Sequence, residues 1–416
     1  MTRFERPQVA TIVERLNEPP QRIIAIFGPR QTGKTTAVLQ ALERIQRPWR
    51  YEAMDQPPKQ PGLDPSAEAT SVRTGSLPDR QELVRIWEDS RHRAFSSPEG
   101  FVLVLDEIQK IDDWANTVKG LWDQDRAIDC PLHVVILGSA PLLLQQGINE
   151  TLAGRFEPIR HTHWSYSEMS EAFGFSVDEY VYFGGFPGAA PLISDQARWA
   201  AYVRDALIEP AVERDLLAMV RVDKPALLRR LLELSMAYSG QILSYNKMLG
   251  QLQEAGNTTT LAGYLRLLDR VGLVSGLQKH RSRAVSAKSD TPKLIVLNTA
   301  LMAVRSDRTF DEARADRSFW GRMVESTVGA HLLNSCSTAT RVKYWRMSNR
   351  EVDFVLQRGP RLVAIEVKSG RTRETPAGLL EFKEQFKFCT TLVVGDSGIP
   401  LQEFLSSPAD HWLEKQ

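Results

Sequence analysis

Runs of apolar residues alternate with amphipathic segments through the first part of the chain. Uninterrupted apolar stretches cover residues 23–27, 101–105 and 134–137, and stretches with helical periodicity lie between them. Strands that are apolar at every position are typical of parallel sheets covered by helices on both faces. The pattern therefore predicts an open α/β domain with a parallel sheet over about residues 20–165.

The hydrophobic pattern changes twice in the rest of the chain. Helical periodicity dominates from about residue 165 to 222 and is interrupted by a Gly- and Pro-rich segment at residues 183–191. Residues 226–298 then predict three short helices followed by a strand, a polar loop and a second strand. Strand-like runs return between residues 320 and 416, so we expect a second α/β domain there.

The first apolar run leads directly into a glycine-framed loop. Its residues satisfy the pattern G-x-x-x-x-G-K-[ST], in which backbone N–H groups surround a polyphosphate and the lysine neutralises its charge. A turn that merely precedes a helix is the alternative, but the strand before the loop and the helix after it are the elements that the motif requires. We expect a nucleoside triphosphate with Mg²⁺ to be bound by Gly28, Pro29, Arg30, Gln31, Thr32, Gly33, Lys34, Thr35 and Thr36.

Two carboxylates follow the second apolar run. Asp106 is placed to bind Mg²⁺ beside the Thr35 hydroxyl, and Glu107 is placed to polarise the attacking water. With Lys34 on the phosphates, this pair predicts hydrolysis of the nucleotide as well as binding. No N-K-x-D element that would read guanine occurs in a suitable place, so we expect the nucleotide to be ATP.

Two further residues are candidates for catalytic contact with the γ-phosphate. Ser139 follows the third apolar run and is expected either to sense the γ-phosphate or to cap a helix. Arg155 is expected to stabilise the charge of the transition state, in the same chain or from a neighbouring subunit. A structural ion pair is the alternative for an arginine in this region, notably for Arg160.

Charge and composition limit the kinds of partner and of cellular location that we expect for the chain. The 416 residues carry a formal net charge of +1, so affinity for nucleic acid would have to come from local patches. No apolar segment approaches the length of a membrane span, and the start of the chain lacks the apolar core of a signal peptide. Three widely separated cysteines without a C-x-x-C pair indicate buried apolar side chains, neither disulfides nor metal ligands. We expect a cytoplasmic protein that does not engage membranes.

In combination, these motifs resemble those of a known family, the prokaryotic AAA-superfamily ATPases that carry a C-terminal domain of unknown function. The similar segments are the loop at 28–36, DEIQK at 106–110, GSA at 138–140, LAGRF at 152–156, FGGFPG at 183–188 and ERDL at 213–216. The resemblance implies a P-loop NTPase core with five parallel strands and a helical lid. The chain departs from the family at residues 298–301, where Asn-Thr-Ala-Leu replaces the usual Asp-Thr-Gly-Leu and removes a carboxylate.

We therefore expect four parts along the chain. They are an α/β P-loop ATPase core at residues 1–165, a helical lid at 166–222, a winged-helix domain at 223–300 and a nuclease-like α/β domain at 301–416.

The third part carries a basic region beside its predicted recognition helix. This helix opens at Asn257 and carries Arg266 and Arg270 one turn apart on one face. The following loop, residues 279–293, has five basic residues and one acid, a net local charge of +4. Phosphate contacts from this loop would position the helix in a groove of DNA. A solvated basic loop and a winged helix that contacts protein are the alternatives.

The last part resembles the PD-(D/E)XK nuclease core. Glu325 lies in a helical stretch, Asp353 lies near the head of a strand, and Glu366 and Lys368 lie two apart on the next strand, facing the same side. The resemblance implies Asp353 and Glu366 as Mg²⁺ ligands, Glu325 as a supporting ligand, and Lys368 as a charge stabiliser or water activator. The alternative is a domain that binds metal or DNA without cleavage.

These observations predict a Mg²⁺-dependent ATPase whose cycle is coupled to DNA through the winged helix and the nuclease-like domain. Assembly into a homo-oligomer is a further expectation, because Arg155 could act on a neighbouring subunit. The alternative is a nucleotide-gated switch without nuclease activity that acts on a protein partner. Stimulation of the ATPase by DNA that fades steeply with salt distinguishes the two hypotheses.

Overall fold

A computed structural model of the chain describes residues 4–55, 78–138, 151–217, 222–252, 257–281, 291–370 and 375–414. The chain divides into two compact units, Met1–His161 and Thr162–Gln416. The finer division of the second unit into lid, winged-helix and nuclease-like parts stays a prediction.

Helices and strands alternate through the first unit. The helices are α1 (Pro7–Asn17), α2 (Lys34–Leu42), α3 (Arg80–Ser96) and α4 (Trp114–Ala127), with a short 3₁₀ turn at Ile108–Lys110. The strands are β1 (Ile23–Phe27), β2 (Trp49–Ala53), β3 (Phe101–Asp106), β4 (Leu132–Gly138) and β5 (Phe156–Arg160).

The five strands form one parallel sheet in the order β2-β3-β4-β1-β5. This confirms the expected parallel sheet of five strands. Side chains of β1, β3 and β4 are buried almost throughout, because apolar clusters cover both faces. Strand β4 lies between β1 and β3, so the glycine-framed loop and the acidic pair emerge at the same edge, one strand apart.

The second unit begins with a helical region. It contains α5 (Tyr166–Phe173), α6 (Val177–Phe183), a 3₁₀ segment (Pro187–Leu192), α7 (Gln196–Ala201) and two π-helical segments (Tyr202–Ile208 and Ala211–Leu217). Ser165 and Ser176 start α5 and α6 through capping boxes with Glu168 and Glu179, which satisfy backbone N–H groups of the first helical turn.

Three helices and an antiparallel hairpin follow. They are α8 (Pro225–Ala237), α9 (Tyr245–Leu252), α10 (Thr258–Arg270), β6 (Val274–Leu277) and β7 (Lys293–Val296). Between α8 and α9, Ile242 forms an antiparallel bridge with Lys293, so a third short segment adds to the hairpin through β7.

The end of the chain forms a mixed four-stranded sheet. After α11 (Ala300–Ser306), α12 (Phe310–Ala315) and α13 (Arg317–Ser335) come β8 (Arg341–Met347), β9 (Arg350–Arg358), β10 (Arg361–Lys368), α14 (Ala377–Gln385), β11 (Cys389–Gly395), α15 (Leu401–Leu405) and α16 (Ala409–Glu414). The order is β11-β10-β9-β8, antiparallel except for the β10–β11 pair. None of the helices in the described ranges combines the length and apolarity needed to cross a membrane.

Asn298 joins two of the sequence motifs in the second unit. Its Oδ1 accepts hydrogen bonds from the backbone N–H groups of Gly185 and Ala300, both at 3.2 Å. A Cβ on Gly184 would lie 1.9 Å from the same oxygen, so only glycine fits there. The amide oxygen accepts backbone hydrogen bonds as a carboxylate would, so Asn298 can fill the acceptor role of the aspartate that the resemblance implies at this position.

Candidate functional site

The glycine-framed loop connects β1 to α2 at the carboxyl edge of the first sheet. A Cβ on Gly28 would lie 1.8 Å from the backbone oxygen of His161, so this position tolerates no side chain. Gly33 adopts a φ of +85°, in the left-handed region that favours glycine. Arg30 and Gln31 lie within the loop, and Thr36 lies in the first turn of α2.

Lys34 folds back onto the loop that precedes it. Its Nζ donates to the carbonyl oxygens of Gly28 at 3.0 Å and Pro29 at 2.7 Å, and the side chain is buried. The Pro29 oxygen also accepts a hydrogen bond from the Thr32 hydroxyl at 3.0 Å. The ammonium therefore lies among main-chain groups of the same loop that would surround a phosphate.

Thr35 and Asp106 meet as the sequence predicts. The Thr35 hydroxyl donates to Asp106 Oδ2 at 2.8 Å, although 71 positions separate the two residues. Tyr51 of β2 donates to the same oxygen at 2.5 Å. Burial, followed by the nearby Asp106 carboxylate, raises the pKa of Tyr51 well above its usual value, so it stays protonated as a donor. Tyr51 was not among the predicted site residues, since a tyrosine on a half-polar strand carries no motif.

The pair of oxygen groups fits Mg²⁺. A hydroxyl and a carboxylate are ligands that this hard cation prefers, and Thr35 and Asp106 hold them side by side at the mouth of the loop. Glu107 comes next, at a φ of +52°, and its Oε2 accepts a hydrogen bond from Gln109 Nε2. Gln109 is thus a positioning residue that fixes the Glu107 carboxylate beside Asp106.

The structure places Arg155 away from the phosphate loop of its own chain. Its guanidinium makes a two-pronged ion pair with Asp123 of α4, at 2.7 and 2.9 Å, which holds the pKa of Asp123 below its usual value. Its backbone oxygen accepts from the N–H of Ile23, at the amino end of β1 and opposite the loop. A role for Arg155 in the same chain is inconsistent with this placement.

Arg160, in contrast, ends β5 beside Phe27 at the loop's edge. Among described residues it forms no ion pair, so the structural alternative that the sequence left open for Arg160 applies to Arg155 instead. Ser139 lies outside the described residues, and β4 ends at the residue before it.

Arg6 and His161 lie against the glycine-framed loop, and neither was predicted from the sequence. Arg6 Nη1 donates to the Thr32 backbone oxygen at 2.9 Å and lies 3.2 Å from His161 Nδ1. Burial, together with the charges of Arg6 and Lys34, lowers the pKa of His161 to about 3. The ring is therefore neutral at physiological pH and can lie next to two cations.

The second unit brings together all four residues of the predicted nuclease-like site. Lys368 Nζ donates to Glu366 Oε1 at 2.7 Å, and Asp353 Oδ2 accepts from the Val367 backbone N–H at 2.9 Å. Burial raises the pKa of Glu366 to about 7, and burial raises the pKa of Glu325 to about 7 as well. Such crowding of carboxylates is what a cation would relieve.

That cation is a lysine of the chain itself. Lys293 is fully buried, and its Nζ lies 2.7 Å from Glu325 Oε1 and 3.1 Å from both Glu351 Oε1 and Asp353 Oδ1. Burial alone would lower the pKa of Lys293, but these three carboxylates raise it above its usual value. This placement contradicts the expectation that Lys293 contacts DNA from an exposed loop.

The residues of this centre do not fit the divalent cation that the nuclease resemblance implies. The Lys293 ammonium already lies among the oxygens that would bind the metal. Over the described ranges, no group of three or more His, Cys, Asp and Glu side chains is arranged to hold a metal ion. The predicted roles of Glu325, Asp353 and Glu366 as Mg²⁺ ligands and of Lys368 as a catalytic lysine are therefore not supported by the geometry.

A basic cavity lies elsewhere in the second unit. Its volume is about 380 Å³, and no acid occurs among the described residues that line it. The lining includes four cations from three elements and two hydroxyls: Lys247, Lys279, Arg281, Arg346, Ser244 and Thr291. Of the predicted basic loop, residues 282–290 lie outside the described part, whereas Lys279 and Arg281 belong to this cavity.

Known families match three successive parts of the chain. Residues 20–170 match an AAA domain, residues 174–311 match a domain of unknown function (DUF8612), and residues 320–406 match a second one (DUF4143). No curated protein matches the chain.

Several solved structures are similar to the chain at low identity. The Walker-type ATPase PABY2304 of Pyrococcus abyssi is 14% identical, over 73% of this chain and 96% of that chain, with a TM-score of 0.46. The RuvB Holliday junction branch migration motor of Thermotoga maritima is 14% identical, over 65% and 87%, with a TM-score of 0.32. The Orc1 protein of Aeropyrum pernix, in complex with DNA, is 14% identical, over 74% and 92%, with a TM-score of 0.29. By the family matches, residues 20–170 of the present chain are similar to an AAA-type P-loop ATPase domain, and regions similar to two domains of unknown function follow.

Proposed function

We propose that the first unit binds ATP with Mg²⁺ and hydrolyses it. The observation that carries this proposal is the convergence of Lys34, Thr35 and Asp106 at the carboxyl edge of the parallel sheet. Loop backbone N–H groups and the start of α2 would hold the phosphates, because a helix N-terminus favours negative charge. When bound with ATP, Mg²⁺ would neutralise charge on the β- and γ-phosphates.

Each side chain of the site would have a separate role in binding or hydrolysis. Lys34 would exchange its two loop carbonyls for phosphate oxygens, and Thr35 and Asp106 would hold the metal. Glu107, steadied by Gln109, would accept a proton from the attacking water. Ser139 would orient that water or contact the γ-phosphate. Arg155 would act from a neighbouring subunit of a homo-oligomer, once released from Asp123.

The test is ATP turnover by matched variants of the intact protein. Glu107→Gln should bind ATP normally but lose turnover by about 100-fold or more, because a positioned general base contributes about that much. Glu88→Gln, an exposed residue of α3, removes the same charge away from the loop and should turn over ATP at the wild-type rate. Normal turnover by Glu107→Gln would refute its role as the base.

We also propose that the second unit engages DNA. Three helices followed by a hairpin have the element order of a winged helix, with α10 in the position of the recognition helix. The order α13, β8, β9, β10, α14, β11 is that of the nuclease-like core, which we interpret as a DNA-contacting domain. The acid-free cavity supports this interpretation, because its cations come from the second helix, the hairpin and β8 together.

Duplex DNA binding across a salt series tests this part. Lys247→Ala and Arg346→Ala should each weaken binding and reduce the slope of log K against log salt by about one. Arg341→Ala removes an exposed cation from the same strand outside the cavity and should leave the slope unchanged. Absence of DNA binding by the wild type would favour the alternative function, a nucleotide-gated switch that acts on a protein partner.

A further inference from the structure

The acidic centre of the second unit contains a buried cation within ion-pair distance of three carboxylates. An ammonium group has three N–H donors, and Lys293 Nζ is surrounded by three carboxylates. The ring of Phe354 lies 5.2 Å from the same nitrogen. The Lys293 side chain is 0% exposed. The ammonium is therefore satisfied by the protein alone.

Most of the Asp353 and Glu366 oxygen atoms that a divalent cation would need are already engaged, whereas Glu366 Oε2 is buried without a hydrogen-bond partner among the described residues. Asp353 Oδ1 contacts Lys293, and Asp353 Oδ2 accepts the Val367 backbone N–H. Glu366 Oε1 accepts from Lys368. A metal that used Asp353 Oδ1 would have to displace an ammonium that is buried and held by several charges at once.

We propose that Lys293 permanently takes the place of the divalent cation, so that the centre is a metal-independent ionic lock and not a nuclease site. The backbone of Lys293 belongs to β7 and also bridges to Ile242, whereas Glu351 and Asp353 belong to β9. The lock therefore joins the hairpin that follows the three helices to the C-terminal sheet. The second unit engages its partner without cutting a phosphodiester.

Metal binding by the nucleotide-free protein tests this inference without reference to ATP turnover. Mn²⁺ is titrated and its free fraction is followed by electron paramagnetic resonance, in an Asp106→Asn background that removes the metal ligand of the first unit. The otherwise unchanged protein should bind no Mn²⁺, and its unfolding midpoint should be the same in EDTA and in Mg²⁺. One tightly bound Mn²⁺ that is lost in Glu366→Gln would overturn the inference.

Removal of the ammonium should convert the lock into a metal site. In the same background, Lys293→Met should gain one Mn²⁺ with an affinity at least about tenfold above the weakest binding that the titration detects, because the uncompensated carboxylates then attract a divalent ion. The double variant Lys293→Met/Glu325→Gln, with one charge fewer, should lose that gain. Lys343→Met is the matched control and should gain nothing, because Lys343 contacts Gln357 and, within the described part of the chain, no acid.

Each of these arms can contradict the inference. A folded Lys293→Met that binds no Mn²⁺ would show that the lysine does not occupy a cation site, and an equal gain in Lys343→Met would show a general charge effect. If Lys293→Met does not fold, the Mn²⁺ titrations of the Asp106→Asn protein and of its Glu366→Gln variant still test the inference, because a bound Mn²⁺ that Glu366→Gln removes would overturn it. Failure of the ATPase proposal would leave all of these measurements unaffected.

Discussion

Among the described glycines of the first unit, Gly28 is the one at which an added Cβ would lie closest to another atom. An alanine Cβ there would lie 1.8 Å from the His161 oxygen, whereas real contacts of this kind essentially never fall below 3.0 Å. The loop or the end of β5 must therefore move by at least the 1.2 Å difference between these two distances. The His161 N–H donates to the Phe27 oxygen at 2.8 Å, so β5 cannot move without breaking that bond. We expect the loop to move.

A displacement of this size should affect catalysis more than folding. Misplacement of reacting groups by about 1 Å can cost about 100-fold in rate, or about 2.7 kcal/mol of transition-state stabilisation. Overpacking typically costs about 1–3 kcal/mol of stability, which a folded domain can absorb. Gly28→Ala should therefore stay folded and lose about 100-fold in kcat/KM for ATP.

Steady-state ATPase kinetics and urea unfolding, measured on the same preparations, check this prediction. Gly120→Ala is the matched control, because a Cβ at that position of α4 meets nothing within 4 Å. It should leave kcat/KM unchanged and raise stability by up to about 1 kcal/mol. A folded Gly28→Ala with wild-type kcat/KM would refute the argument that this backbone approach positions the loop.

Three further predictions concern separate parts of the structure. In the assembled homo-oligomer, and only there, Arg155→Ala should reduce ATP turnover by about 1,000-fold or more while the affinity for ATP stays unchanged. Asp123→Ala, which removes the ion-pair partner of Arg155, should retain turnover. Equal turnover in the two variants would exclude a role of Arg155 in a neighbouring subunit. Asn298→Ala should lower the free energy of unfolding by about 2–4 kcal/mol, because two buried N–H groups lose their acceptor, and Asn298→Asp should cost less in urea titrations. Burial lowers the pKa of His133 to about 4, so as pH falls the ring takes up its proton in the unfolded state before it does so in the folded state. The free energy of unfolding should therefore decrease below about pH 6.5, with a contribution from His133 of about 1.4 kcal/mol per pH unit. The variant His133→Gln should lack this contribution.

Central strands and the phosphate loop could be predicted from the sequence because their signals are local. Strands β1, β3 and β4 are apolar at nearly every position, since helices cover both of their faces. The edge strand β2 is half polar and was not predicted, although it contributes Tyr51. An edge strand buries less, so its hydrophobic pattern is weaker.

Contacts between distant segments account for the misplaced residues. Arg155 directly precedes β5, so it lies at the amino edge of the parallel sheet, opposite the phosphate loop. This location follows from the sequence once residues 156–160 are assigned to a parallel strand. Lys293 follows a run of basic residues and therefore had the pattern of a solvated loop. Its true surroundings are carboxylates 32 to 60 positions later in the chain, and no local pattern reports such a contact.

The central claim is that Lys34, Thr35 and Asp106 form one site for ATP with Mg²⁺. Isothermal titration calorimetry of MgATP into the nucleotide-free protein tests it most directly, with Lys34→Ala as the comparison. We expect one site per chain in the wild type and binding at least about tenfold weaker in Lys34→Ala, since the lysine supplies charge to the phosphates. No heat of binding in the wild type, or equal affinity in the two proteins, would contradict it.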